Sequence, residues 1–100
     1  MRVISLKPLR EFWKRRPDAA RPLRLWYKTA LNAEWAGLHD ARRDYPHVDG
    51  VRTASGDALT VFNIGGNNYR LVARIRYDYR LINVRAVLTH AEYDQGRWKE

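Results

Sequence analysis

Apolar positions near the start of the chain recur at helical spacing. Leu9, Phe12 and Trp13 fall at i, i+3 and i+4, which predicts one buried helix face. Residues 2–5, "RVIS", read as a brief strand, with Ser5 as the cap of the helix and Pro8 tolerated in its first turn. Pro17 ends that helix because its ring clashes with the preceding turn. A second helix is predicted from about Asp18–Pro22 to about Gly37, with Gly37 as its C-cap. Leu23, Trp26, Tyr27, Ala30 and Leu31 form its apolar stripe, which Trp35 extends. Two helices joined across a short proline break make an αα-hairpin.

The stretch "HDARRDYPHVDGVRTASGDA" is polar and reads as a long ordered loop, with one helical turn at Asp40 to Tyr45. Beyond it the period becomes two. "ALTVFNI", "YRLVARIRY" and "LINVRAVL" are predicted strands, joined by "GGNN" and "DYR". Gly65 and Gly66 supply the positive φ of the first hairpin. In the middle strand Tyr69, Leu71, Ala73, Ile75 and Tyr77 share one face; Arg70, Val72, Arg74 and Arg76 share the other. In the last strand Ile82, Val84, Ala86 and Leu88 oppose Asn83, Arg85, Val87 and Thr89. A short C-terminal helix starts at His90 with Thr89 as its cap. The expected architecture is α+β: two N-terminal helices on one face of a small antiparallel sheet, in a single domain over residues 1–100.

Composition sharpens this picture. With 45% hydrophobic residues and four Trp, the chain can bury a core. It has no Cys, so disulfide scaffolds and thiolate metal sites are excluded, and a reducing cytoplasm is the expected location. No apolar run reaches the roughly 18 residues of a membrane span, and "MRVISLKPLREFW" lacks the continuous apolar stretch of a signal peptide. Lys plus Arg number 19 against 11 acids, a net charge of +8, mostly from Arg. Such a chain suits nucleic acid or an acidic partner.

The arginines point to chemistry. Arg70 and Arg85 are expected on adjacent strands of one solvent-facing sheet face, where like charges repel and Asp78 in the turn is the one acid of that strand pair. Uncompensated guanidiniums suit phosphate; a solvated polar face is the plain alternative. His90 follows a buried strand beside them and suits proton transfer near neutrality, or merely caps a helix. Tyr93, three residues on, shares its helix face, as a base platform, a proton donor or a packing anchor. His39 and His47 are expected to be ordinary surface residues. His90, Glu92 and Asp94 alternate, which spreads them over a helix and argues against a metal site. The tryptophans and Phe12 read as core, except Trp98 in the tail "QGRWKE", which is expected to fray. "NIGGNN" lacks the pattern and the strand-to-helix setting of a phosphate loop.

Taken together, "VFNIGGNNYRLVARIRYDYRLINVRAVLTHAEYD", from Val61 to Asp94, resembles the C-terminal half of HigB-type toxins of the RelE/ParE superfamily. Weaker echoes lie in the Leu23–Trp26 helix, Trp35 and "DARRDYPHVD". The resemblance implies a RelE-like fold and an mRNA interferase that cuts messages, usually on translating ribosomes. It implies no metal or other cofactor, and a neighbouring helix-turn-helix antitoxin of the HigA kind. Carried over, it makes Arg70 and Arg85 phosphate binders and His90 and Tyr93 proton-transfer or base-positioning groups, with Arg74, Arg76, Asn63 and Asn83 as further RNA contacts. Asn68 stands where many relatives carry Lys, which leaves a turn lysine no role here. A non-catalytic RNA-binding module and a ParE-like gyrase poison are the competing readings.

Overall fold

Alternating apolar residues from Ala58 to Thr89 form the middle of the molecule, and the helical stripes fold back onto them. The computed structural model describes residues 1–99. Its elements are β1 (Arg2–Ile4), α1 (Lys7–Arg15), α2 (Ala20–Asn32), α3 (Leu38–Asp44), β2 (Asp49–Arg52), β3 (Ala58–Ile64), β4 (Tyr69–Arg76), β5 (Leu81–Thr89) and α4 (His90–Gln95), with single 3-10 turns at Pro17–Ala19 and Arg97–Lys99. The five strands are ordered β1-β5-β4-β3-β2. β2 through β5 pair antiparallel, but β1 lies parallel to β5, so the sheet is mixed rather than antiparallel throughout. A parallel pair needs a long crossover, and here everything from α1 to β4 lies between its two strands.

The main core lies between the helices and one sheet face. Leu9 and Phe12 of α1 and Leu23, Trp26 and Ala30 of α2 are buried with Phe62, Leu71, Ile82 and Val84. Phe62 is its centre: Trp26 and Tyr45 meet that ring edge-on and Trp35 stacks on it. Burial of this size outweighs weak local preferences, which explains most departures from the expected elements.

Several expectations need correction. Ser5 does not cap α1; it has φ of 66° and Leu6 holds the cap position. α2 stops at Asn32, where Ala33 turns extended, and the Met1 amine donates to the carbonyls of Ala30, Leu31 and Ala33. Gly37 therefore precedes α3 as its N-cap instead of closing α2. Trp35 is buried from the connection between α2 and α3, and Leu31 is exposed. The helical turn expected at Asp40 to Tyr45 is the longer helix α3, and the expected loop also contains the edge strand β2. Edge strands bury little and leave a weak periodic signal, so β2 escaped the pattern.

The largest correction concerns the sheet's second face. Val72 pairs with Ala86 and Ala73 with Val84, so Arg85 is an extra, unpaired residue: a β-bulge. The bulge reverses side-chain parity along β5. Val87 joins the main core, while Leu88 packs on the opposite face. That opposite face is not open. Leu59, Val61 and Val72 form a second small core there, covered by Leu88, Tyr93 and Trp98. Trp98 does not fray: it stacks on Tyr93 with ring centroids 4.9 Å apart, and its Nε1 donates to the Tyr93 carbonyl at 2.9 Å.

Candidate functional site

α4 starts where its capping chemistry dictates. The Thr89 hydroxyl accepts from the Glu92 N–H at 3.2 Å, and Glu92 Oε1 accepts from the Thr89 N–H at 2.9 Å. These bonds hold the Glu92 carboxyl below its ordinary range. The His90 N–H donates to the Asn68 carbonyl at 3.2 Å, tying the helix start to the β3–β4 turn. His90 Nδ1 lies 3.0 Å from Asp94 Oδ2, one turn along. The carboxylate favours the ring proton on Nδ1, which leaves Nε2 as the free nitrogen. Glu92 is committed to the cap, and among the described residues no three His, Asp or Glu side chains gather to hold a metal.

Arg70 is the centre of this end of the sheet. It is not solvent-facing, as the alternation suggested, but only 8% exposed. Its Nη1 donates to the carbonyls of Asn67 at 3.2 Å and Tyr69 at 3.1 Å, and its Nη2 donates to Asn67 Oδ1 at 2.6 Å. Its carbon Cζ sits 5.4 Å from the centroid of the Tyr93 ring. Trp98 stacks on that ring as well, so the Tyr93 ring already has two partners that a stacking base would have to displace or share. Among the described residues no carboxylate forms an ion pair with Arg70. Three of its five N–H groups are used; Nε–H and one Nη2–H remain.

Burial raises the Tyr93 phenol above its ordinary pKa, and the Asp49 charge adds to this; the Arg70 cation opposes it. Asp49 is brought in by β2, where it pairs with Val61. The phenol is therefore held in its protonated, donating form.

The remaining predicted residues divide. Asn63 pairs with Arg70 across β3 and β4, so it belongs to this end. Arg85 does not lie opposite Arg70, whose partner is Leu88. It stands three residues along β5, roughly 10 Å away at strand rise, and lines a separate cavity with Asp57 and Trp98. Arg74 pairs with Asn83 at that far end. Arg76 is bonded to Asp78 at 3.2 Å and lies over the Tyr79 ring at 4.7 Å.

Sequence reasoning missed three groups at this end of the sheet. Asn67 holds the guanidinium, Asp94 contacts His90, and His47 lines an open cleft of about 440 Å³ with Asn63, Gly66 and Asn67. Asp94 was detectable from its i, i+4 spacing to His90. His47 was not, because its position depends on the unrecognised strand β2.

Known proteins resemble this chain in sequence. The family model described as HigB_toxin, RelE-like toxic component of a toxin-antitoxin system, matches residues 19–96. The mRNA interferase HigB of Escherichia coli O6:H1 is 27% identical over 95 residues, covering 95% of this chain and 90% of that protein. The mRNA interferase toxin HigB of Escherichia coli K12 is 28% identical over 94 residues, covering 94% and 88% respectively. A Shigella flexneri mRNA interferase HigB is similar to the same degree. The family match runs from α2 through the α4 segment that carries His90 and Tyr93, and this chain belongs to the HigB toxin family of toxin–antitoxin systems.

Proposed function

We propose that this chain is an mRNA interferase, an endoribonuclease that cleaves messages on the translating ribosome and is neutralised by a HigA-like helix-turn-helix antitoxin. The observation that carries the reading is Arg70. A guanidinium buried without a carboxylate is costly to the fold. It is held by neutral acceptors that leave two donors free, which suits an incoming phosphate.

In the proposed reaction the RNA's own 2′-OH attacks the adjacent phosphorus in line. His90 Nε2 takes the 2′ proton, oriented by Asp94. The bond from phosphorus to the 5′ oxygen breaks, and the Tyr93 phenol protonates that oxygen. The products are a 2′,3′-cyclic phosphate and a 5′-hydroxyl end. Arg70 stabilises the charge that builds on the phosphorane. The cleft of His47, Asn63 and Asn67 holds the approaching strand, and Arg74, Arg76 and Asn83 add backbone contacts beyond. Because the nucleophile is internal to the RNA and the countercharge is a guanidinium, the reaction needs no metal.

Induced expression with primer extension on several messages tests this, alongside cleavage of a short RNA by purified protein with and without ribosomes. Cleavage should persist in EDTA and vanish when one 2′-deoxy nucleotide replaces the ribose at the cut. Intact messages together with gyrase-dependent DNA damage would overturn it. So would full activity in His90→Ala, which would favour a non-catalytic binding module.

A further inference from the structure

The Arg85 bulge opens onto a cavity of about 260 Å³ on the same sheet face as Arg70. Trp98 forms one wall and Leu59 and Val72 line its apolar part. Asp57, Ser55 and Arg85 supply its polar groups. A space near the lower bound of roughly 300 Å³ for small-molecule sites suits one planar ring rather than a whole nucleotide. Arg85 and Asp57 line the same small space yet do not pair with each other, and among the described residues neither has an ion-pair partner. The cavity thus presents an unused acceptor pair and an unused donor fork beside an aromatic wall.

We propose that this cavity is a nucleobase pocket that selects guanine in the RNA strand beside the cut. Guanine offers two adjacent donors, N1–H and the 2-amino group, which match the two oxygens of one carboxylate. Its O6 and N7 accept from a guanidinium, the commonest base-specific pairing of arginine. Cytosine, uracil and adenine each present at most one ring-edge group toward Asp57 in that pose, so they lose one charge-assisted bond. Trp98 supplies the stacking surface. Its ring is already fixed by Tyr93, so little ordering is required when a base arrives. Lys99 Nζ lies 5.6 Å from the Trp98 ring centroid, but its side chain is exposed and gives way. Arg85 lies roughly 10 Å along β5 from the Leu88 row that carries Arg70, so the selected base belongs to a neighbouring nucleotide and not to the scissile phosphate itself. The inference rests on the ribonuclease reading for its biological meaning, but the pocket is testable without cleavage.

Two measurements test it separately. In His90→Ala protein, the Trp98 indole N–H resonance is followed by NMR while GMP, CMP, UMP and AMP are titrated; a Trp98→Phe variant assigns the peak. GMP should shift it with at least tenfold higher affinity than the others, and Asp57→Asn should abolish that order. Equal affinities, or no shift with any mononucleotide, would overturn the pocket whether or not the protein is a nuclease. In active protein, cut sites should share a guanine at one fixed offset, and Asp57→Asn should reduce that preference at least tenfold. Cleavage with no such guanine would sink the pocket and leave the nuclease reading intact. Specific GMP binding by a chain that cuts no RNA would do the reverse.

Discussion

Arg70 lies against the Tyr93 ring, Cζ to centroid 5.4 Å, while Asn67 grips its Nη2 at 2.6 Å. A cation kept this dry is an expense to the fold that function must justify. Arg70→Met, close in shape and uncharged, should therefore melt at the same temperature as the parent or higher, yet lose cleavage by about 10²-fold or more. Arg70→Lys keeps the charge but not the planar fork, and should fall nearly as far. A melting temperature lowered as much as by a core truncation would make Arg70 a structural residue instead.

His90→Ala should reduce kcat by about 10²- to 10⁴-fold, the usual range for a positioned proton-transfer group. His90 is exposed, so thermal melts should be unchanged within error. Asp94→Asn should act through His90, lowering kcat about tenfold with little change in KM. A KM effect alone would place both residues in RNA binding.

The pH profile follows from Tyr93. Its phenol is raised above the ordinary value by burial, so it stays protonated past about pH 10. kcat should therefore hold its alkaline plateau, with no fall before about pH 10. Tyr93→Phe should lower kcat about 10²-fold. An alkaline fall near pH 8 would exclude Tyr93 as the acid.

Stability should decline in acid. The carboxyls of Glu92, bonded to the Thr89 N–H, and Asp40, bonded to the Ala36 N–H, both have lowered values in the fold. A lowered folded value means the contribution is complete above the unfolded value of about 4 and lost as pH drops through the folded one. Melting temperatures between pH 6 and pH 2 should show this fall, and Glu92→Gln should flatten it. Thr89→Ala should cost about 1 kcal/mol through the lost cap and lower kcat as well, because the cap aims His90.

Phe62→Ala should cost about 3–5 kcal/mol, because its ring is fully buried among Trp26, Trp35 and Tyr45. Denaturant midpoints measure it. At temperatures where the variant is folded, cleavage should survive, since Phe62 faces away from Arg70.

How far the pattern of residues reaches is clear from particular cases. Ala58–Ile64, the Gly65–Gly66 turn and the α4 start at His90 follow from local rules: period-two alternation, positive φ, and a Thr89–Glu92 cap. Those interactions span a few residues, so neighbours in the chain contain the whole argument. The contact of Arg70 with Tyr93 needs only one hairpin and one helix, whereas Arg85, expected beside them, stands apart. The rest depends on contacts between distant segments. Strand β2, which carries Asp49 and leads from His47, is held by its pairing with β3 rather than by its own composition. The bulge at Arg85 is visible only in the register of β4 against β5, and one extra residue sends Leu88 to the opposite face. Arg70 looked exposed because alternation assigns a side but not what covers it, and Trp98 looked frayed because nothing within "QGRWKE" reveals its stacking on Tyr93. Chain-local forces chose most of the elements; the packing of Tyr93 and Trp98 over the sheet turned a row of arginines into one buried cation and one cavity.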